Sequence, residues 1–223
     1  MKLYHFMSTN YGISAIRDHR YKLSTYDNLN DPFELYATDH SDPMIRECFR
    51  KVKEMYIKDT ALLCCSKSWH STLLWSHYAD KHSGVALELD VTDSSVTEVV
   101  YRSARTPTTR EDMDAYMECE DGEGIGKEMI RVKSLEWSYE NEARVLYDIT
   151  KVTPTEGRYF MPFDANISLS GIILGPLCKI RIEEIEAAMA SETELLVRKA
   201  RIAFRSFRVV TDLSFKPVRL AVT

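Results

Sequence analysis

Apolar positions along the 223-residue chain fall into short segments, some alternating with polar residues and some recurring every three or four. MKLYHF alternates through Leu3, Tyr4 and Phe6 and ends at Ser8-Thr9-Asn10, which predicts a strand followed by a helix cap. Ile13 and Ile16 predict a short helix over 11–18, and Tyr21-Lys22-Leu23-Ser24 a returning strand. The turn-forming residues of Asp27-Asn28-Leu29-Asn30-Asp31-Pro32 predict a surface loop. From Pro43 to about Lys58, Met44, Ile45, Cys48, Phe49, Val52, Met55 and Tyr56 follow a helical period, with Pro43 in the first turn. TALLCCS at 60–66 is a continuous apolar run of strand length. Helical spacing resumes at Ser71-Thr72 with Leu74, Trp75 and Tyr78 on one face, and Gly84 is the expected stop.

Beyond Gly84, Val85, Leu87 and Leu89 alternate with Ala86, Glu88 and Asp90, the pattern of a half-buried strand. Further strands are predicted at 142–149, 171–176 and 205–211, with a helix through Ile182, Ile185, Ala188 and Met189. Several neighbouring strands lie too close in sequence for a crossover helix, and no internal repeat is visible. The expected class is α+β, a mixed and mainly antiparallel sheet with flanking helices, forming one domain over 1–223. Residues 104–128 break the pattern: they are polar and acidic, carry Gly122-Glu123-Gly124-Ile125-Gly126, and read as a partly helical insertion outside the core.

A content of 44% hydrophobic and 28% charged residues excludes disorder, collagen and coiled coil. No run of about 18 apolar residues occurs, and MKLYHFMSTN lacks the layout of a signal peptide, so no membrane partner and a cytoplasmic location are expected. Cys48, Cys64, Cys65, Cys119 and Cys178 form no disulfide framework and fit a reducing compartment. Charge is unevenly placed. Residues 198–223 carry seven basic residues against Asp212 alone, a balance of +6 that leaves −11 for residues 1–197 out of a total of −5. A basic C-terminal segment on an acidic body fits either a polyanion-contacting edge or the solvated face of a terminal helix and strand.

The usual phosphate-loop, zinc-protease, Cys-x-x-Cys and nucleophile-elbow signatures are absent, and the glycines at 122–126 lack dinucleotide spacing among their carboxylates. His70 and His77 stand seven apart, about 10 Å along a helix, and His77 and His82 five apart, so one metal does not easily bridge them. A denser group is Trp137-Ser138-Tyr139-Glu140-Asn141-Glu142-Ala143-Arg144. If 140–146 is extended, Glu140, Glu142 and Arg144 share one face, suited to gripping a sugar hydroxyl and stabilising a cationic transition state, or forming an ordinary solvent-face ion pair. In Trp75-Ser76-His77-Tyr78-Ala79-Asp80-Lys81-His82, Tyr78 and His82 fit a cleft edge where a ring stacks on a flat ligand, or simple core packing. His5 stands on the first strand between Tyr4 and Phe6.

At these residues the chain resembles a bacterial family of domains of unknown function, numbered 2971. The resemblance rests on Leu3-Tyr4-His5-Phe6, Leu29-Asn30-Asp31-Pro32-Phe33-Glu34, Trp75 through Val85, Trp137 through Arg144, and Ile172-Ile173-Leu174-Gly175, spanning roughly 1–180. A strand-borne histidine, an aromatic-rich middle and a late Glu-x-Glu strand are in turn similar to the ADP-ribosyltransferase superfamily, whose split sheet holds NAD. That resemblance implies His5 on the adenosine ribose, Tyr78 stacked on nicotinamide, Glu142 acting on the nicotinamide ribose and Glu140 orienting the acceptor. His77, His82, Asn30, Asp31 and Arg144 would complete the NAD-binding surface, with Asn30-Asp31 and Arg144 holding the first loop over the cleft. The implied activity is NAD-dependent transfer of ADP-ribose to a protein or nucleic-acid acceptor, or NAD cleavage, in an effector of the toxin or phage-defence kind. Two other classes remain: a non-catalytic binding module with the same cleft, and a hydrolase of nucleotides or nucleic acid using a divalent metal held by Glu140, Glu142, His77 and His82.

Overall fold

The computed structural model describes residues 1–118, 125–189 and 194–221. In chain order the elements are β1 (Lys2–Met7), α1 (Thr9–Arg17), β2 (Arg20–Lys22), β3 (Ser24–Thr25), α2 (Pro43–Asp59), β4 (Thr60–Ser66), α3 (Thr72–Tyr78), β5 (Val85–Val91), β6 (Thr97–Glu98) and β7 (Val100–Arg102). These are followed by α4 (Arg110–Glu118), α5 (Ile125–Arg131), β8 (Val132–Ser134), β9 (Glu142–Asp148), β10 (Phe160–Pro162), β11 (Ile167–Leu174), α6 (Ile182–Glu186), β12 (Glu194–Ile202), β13 (Val209–Thr211) and β14 (Val218–Ala221). Ten strands form one sheet in the order β13-β12-β11-β5-β1-β4-β9-β6, with β14 beside β12 and β3 beside β4. Its pairs are antiparallel except β11 with β12. β2 pairs with β10 and β7 with β8 as separate ribbons. The class is α+β, with a large mixed, mostly antiparallel sheet flanked by helices.

Local chemistry accounts for the helix ends. The Ser8 hydroxyl accepts from the Tyr11 N–H and starts α1, so that helix begins at Thr9, before the expected residue 11. Asp42 accepts from the Met44 N–H at 2.7 Å with Pro43 next to it, and α2 then buries Ile45, Phe49 and Val52. α3 stops at Tyr78, earlier than the glycine, because Asp80, Lys81 and His82 all adopt positive φ (46°, 51° and 71°). Gly84 serves a close approach instead: a Cβ there would stand 2.2 Å from the Met7 carbonyl oxygen.

The core has three parts. Leu3, Ile16, Leu63, Leu87, Ile172 and Val197 fill one sheet face. Phe49, Leu62, Leu35, Met113 and Met129 form a second cluster under α2, and Trp69, Trp75, Ala86, Ile173, Ala200 and Val209 a third under α3. Residues 85–91, expected to be half-buried, are buried on both faces apart from Asp90, because β5 lies between β1 and β11 with apolar clusters on either side. The acidic stretch at 104–128 is not wholly outside the core, since Met113 of α4 is 4% exposed. Cys119 and the segment 119–124, with Gly122 and Gly124, lie outside the described residues. The basic C-terminal segment is strand and loop: β12 has no counterpart among the expected strands, and of 205–211 only Val209–Thr211 is extended. No helix among the described residues is long and apolar enough to cross a membrane.

The ladder between β1 and β4 is a single pair, Tyr4 opposite Ser66. Beyond it the strands part, and the His5 ring stands in the gap with Nδ1 2.8 Å from the Cys64 carbonyl oxygen. The sheet is thus divided between a β5-β1 side and a β4-β9 side.

Candidate functional site

A cavity of about 280 Å³ opens at this parting. Tyr4, His5 and Phe6 of β1 form one wall, Cys64, Cys65 and Ser66 of β4 another, and Leu74 and Tyr78 of α3 cover it. Asn30 comes from the first loop, and Lys133, Glu140 and Glu142 close the polar end. The volume lies at the small end of the range for small-molecule sites. On the other side of His5 lies a second cavity of about 350 Å³, whose walls include Arg20, Lys22 and Arg158 as well as Asp18 and Glu156. His5 is the residue common to both cavities. Burial lowers the His5 pKa, opposed by its bond to the Cys64 carbonyl, so the imidazole is neutral at neutral pH.

The polar end is a buried charge cluster. Glu142, first residue of β9, receives Arg144 Nε at 2.8 Å and Nη2 at 3.0 Å, while the same guanidinium grips Glu34 at 2.6 and 2.9 Å and donates to the Ile130 carbonyl. Lys133 Nζ, from β8, stands 2.6 Å from Glu140, 3.3 Å from Glu142 and 3.4 Å from Glu34. Three carboxylates therefore face two cations, and with every member ionised the cluster carries one surplus negative charge. The side chains of all five are 6% exposed or less, so each relies on its partners rather than on water.

The two carboxyls at the cavity differ. Burial alone raises the pKa of Glu142, but the Arg144 guanidinium and then the Lys133 ammonium outweigh it and hold the carboxyl down at about 2. Of the roughly four acceptor positions of a carboxylate, three on Glu142 are taken by two Arg144 nitrogens and Lys133. Burial dominates at Glu140 and raises its pKa despite Lys133 and Tyr78. Glu140 receives Lys133 on one oxygen and the Tyr78 hydroxyl, at 2.5 Å, on the other. Acceptor capacity is left over on Glu140. Asn30 Nδ2 donates to the Tyr78 oxygen at 2.7 Å, extending the chain to the first loop.

Glu140 is not on the strand, as an extended 140–146 would have it. It ends the 3-10 turn Leu135–Glu140, and Asn141 then reverses the chain with φ of 44°, a conformation asparagine tolerates. The turn is fastened by the Ser66 hydroxyl on the Glu140 carbonyl at 2.6 Å and the Lys67 N–H on the Asn141 carbonyl at 2.9 Å. Glu142 and Arg144 do share a face, yet that face is buried rather than solvent-lining.

Among the residues singled out from sequence, His5, Asn30, Tyr78, Glu140 and Glu142 line the one cavity. Arg144 stands behind Glu142, 1% exposed, and anchors the Glu34 loop rather than facing the cavity. Asp31 is buried within the loop expected to be surface, its carboxylate accepting from the Phe33 N–H at 2.9 Å, the work of a turn former. His77 is exposed with its ring 6.1 Å from that of Tyr139, outside the cavity lining. His82 folds back behind α3, its N–H on the Trp75 carbonyl and its own carbonyl taking the Leu177 N–H. The set Glu140, Glu142, His77 and His82 is therefore not assembled, and among the described residues no group of three His, Cys, Asp or Glu is placed to hold a metal ion. Sequence reasoning missed Lys133 and Cys64 as site residues. Nothing around Lys133 marks it, whereas Glu34 stood inside the motif beginning at Leu29.

No curated protein and no solved structure matches the chain. A family model described as "Protein of unknown function (DUF2971)" matches residues 74–145. The match runs from within the Tyr78 helix to the Arg144 strand, taking in two of the motifs noted in the sequence, Trp75 through Val85 and Trp137 through Arg144, and leaving out those on β1, the first loop and β11.

Proposed function

We propose that the chain is an NAD-cleaving enzyme of the ADP-ribosyltransferase kind, taking the nicotinamide-ribose end of NAD in the cavity between β1 and β4. The observation that supports it most is that His5, Tyr78 and the pair Glu140 and Glu142, from three separate parts of the chain, line one cavity beside a buried charge cluster that is one negative charge in excess when Glu140 is ionised. Breaking the bond between nicotinamide and the ribose C1′ sends the electron pair to nicotinamide and leaves positive charge on the sugar. A fixed, water-poor negative charge stabilises that state more than the ground state.

Glu142, held by two Arg144 nitrogens and Lys133 and ionised, supplies standing charge. Glu140, with acceptor capacity and an elevated pKa, is the group to hold a ribose hydroxyl and take the proton from an acceptor hydroxyl or N–H as it attacks C1′. Tyr78 and Leu74 offer the wall for a flat ring. Incubation with NAD, following nicotinamide release and melting temperature, tests this. Release that is lost in Glu140→Gln with the fold retained supports it, and the absence of both release and NAD-dependent stabilisation overturns it.

The engagement of both Glu142 oxygens by Arg144 and Lys133 also favours a second reading, a module that binds a nucleotide without cleaving it. That reading expects NAD to raise the melting temperature with no nicotinamide released.

A further inference from the structure

We infer that the loop joining β12 to β13 is a docking site for single-stranded nucleic acid. Phe204 and Phe207 are 89% and 99% exposed, two aromatic rings three residues apart on one short loop. Isolated exposed apolar residues are ordinary, but a pair of nearly bare phenylalanines on one tip forfeits burial for both rings and calls for a partner. The loop is held rather than loose at its root. Ala203 N–H meets the Arg208 carbonyl at 2.9 Å, Val209 N–H meets the His70 carbonyl at 3.0 Å, and His70 Nδ1 meets the Val209 carbonyl at 2.8 Å. Those last bonds tie it to the segment that opens α3.

Cations surround the rings. The Arg201 guanidinium lies 4.2 Å from the Phe204 centroid, and Arg205 and Arg208 are exposed, with no ion pair on any of the three among the described residues. Asp212, the one acidic residue after 197, spends its carboxylate on the Ser214 N–H and hydroxyl. An anionic partner with flat faces fits rings and arginines together: unpaired bases stack on phenylalanine while phosphates meet arginine. A duplex hides its base faces, so the rings select a single strand. The body, at −11 over residues 1–197, would be pressed against a planar anionic membrane but not against a strand that meets only the tip.

The tip and the NAD cavity are separate, and neither reading depends on the other. The test is fluorescence anisotropy of the full chain with labelled DNA and RNA oligonucleotides of about 12 nucleotides, a length within the usual range of single-strand site sizes, single-stranded and as duplex. Single strands are expected to bind at least about tenfold tighter than duplex, with Phe204→Ala and Phe207→Ala each weakening binding about tenfold. Arg205→Ala should flatten the dependence on salt between about 50 and 200 mM. The rings touch no core, so the wild-type melting temperature is expected in each variant. Equal binding by the phenylalanine variants overturns the inference, as does an absence of oligonucleotide binding. It is overturned equally if phosphatidylserine vesicles or a second copy of the chain, and not oligonucleotide, engage the tip in a phenylalanine-dependent way.

Discussion

Two glutamates on interior strands of the same sheet, Glu88 and Glu142, are each 5% exposed, and they are buried in different ways. Glu88 on β5 is met by Lys2 at 2.9 Å and by Arg198, whose side chains are 43% and 23% exposed. Their aliphatic stems cover the strand while their heads keep contact with water, so the ion pair forms without stripping both charges. Glu142 on β9 is met by Arg144 and Lys133, 1% and 5% exposed, and its neighbours Glu34 and Glu140 are as deeply enclosed. A buried carboxylate alone is thus no mark of a site in this molecule. Enclosed counter-cations, three carboxyls sharing two cations and an adjoining cavity distinguish the second from the first.

The largest effect is expected from Arg144→Met, which strands Glu142 and Glu34 together and should cost about 3–5 kcal/mol in urea unfolding. If it costs no more than Lys2→Met, expected below about 1 kcal/mol because its partner retains Arg198 and the lysine head is well exposed, the contrast between the two glutamates collapses. The acid limb of stability is next. The Glu142 pKa is lowered in the fold to about 2 from 4.5, so its contribution is complete above pH 4.5 and lost as pH falls towards 2. This is on the order of 3 kcal/mol. Unfolding curves at successive pH values should show it, and Glu142→Gln should flatten it.

Glu140 has the opposite sign. Its raised pKa gives stability that is present at low pH and lost as pH rises through the folded value. Glu140→Gln should leave the melting temperature within a few degrees while lowering nicotinamide release about a hundredfold. In wild type, release should climb with pH as Glu140 ionises; a flat profile would separate this carboxyl from the reaction. Tyr78→Phe is the mildest change. It removes the hydroxyl joining Asn30 to Glu140, with a stability cost of about 1 kcal/mol, measurable by the same unfolding curves.

What the sequence disclosed follows the same divide. The run at 60–66 and the helix from Pro43 were legible because period, cap and proline agree. β12 was hidden because Arg198, Lys199 and Arg201 look like a solvated tail, although Leu195, Val197 and Ala200 of the same strand are buried. The cavity residues His5, Tyr78, Glu140 and Glu142 stood out by type. Their arrangement did not: reading charge as exposed conceals Lys133 and Glu34 from any pattern of polarity, and nothing local announces that Asn141 turns left-handed and lifts Glu140 off the strand.

The strand order also sets a timetable. β1 is made first, but its neighbours in the sheet are β5 and β4, and β4 completes its own pairing only with β9. Both flanks of the cavity are therefore assembled from segments distant in the chain, a topology of long loop closures that folds slowly. On a ribosome β1 can meet β4 and β5 well before Glu142 and Arg144 emerge. Until they do, the apolar run of β4 stands as an open edge, and the nascent chain spends that interval exposed to chaperones and to aggregation.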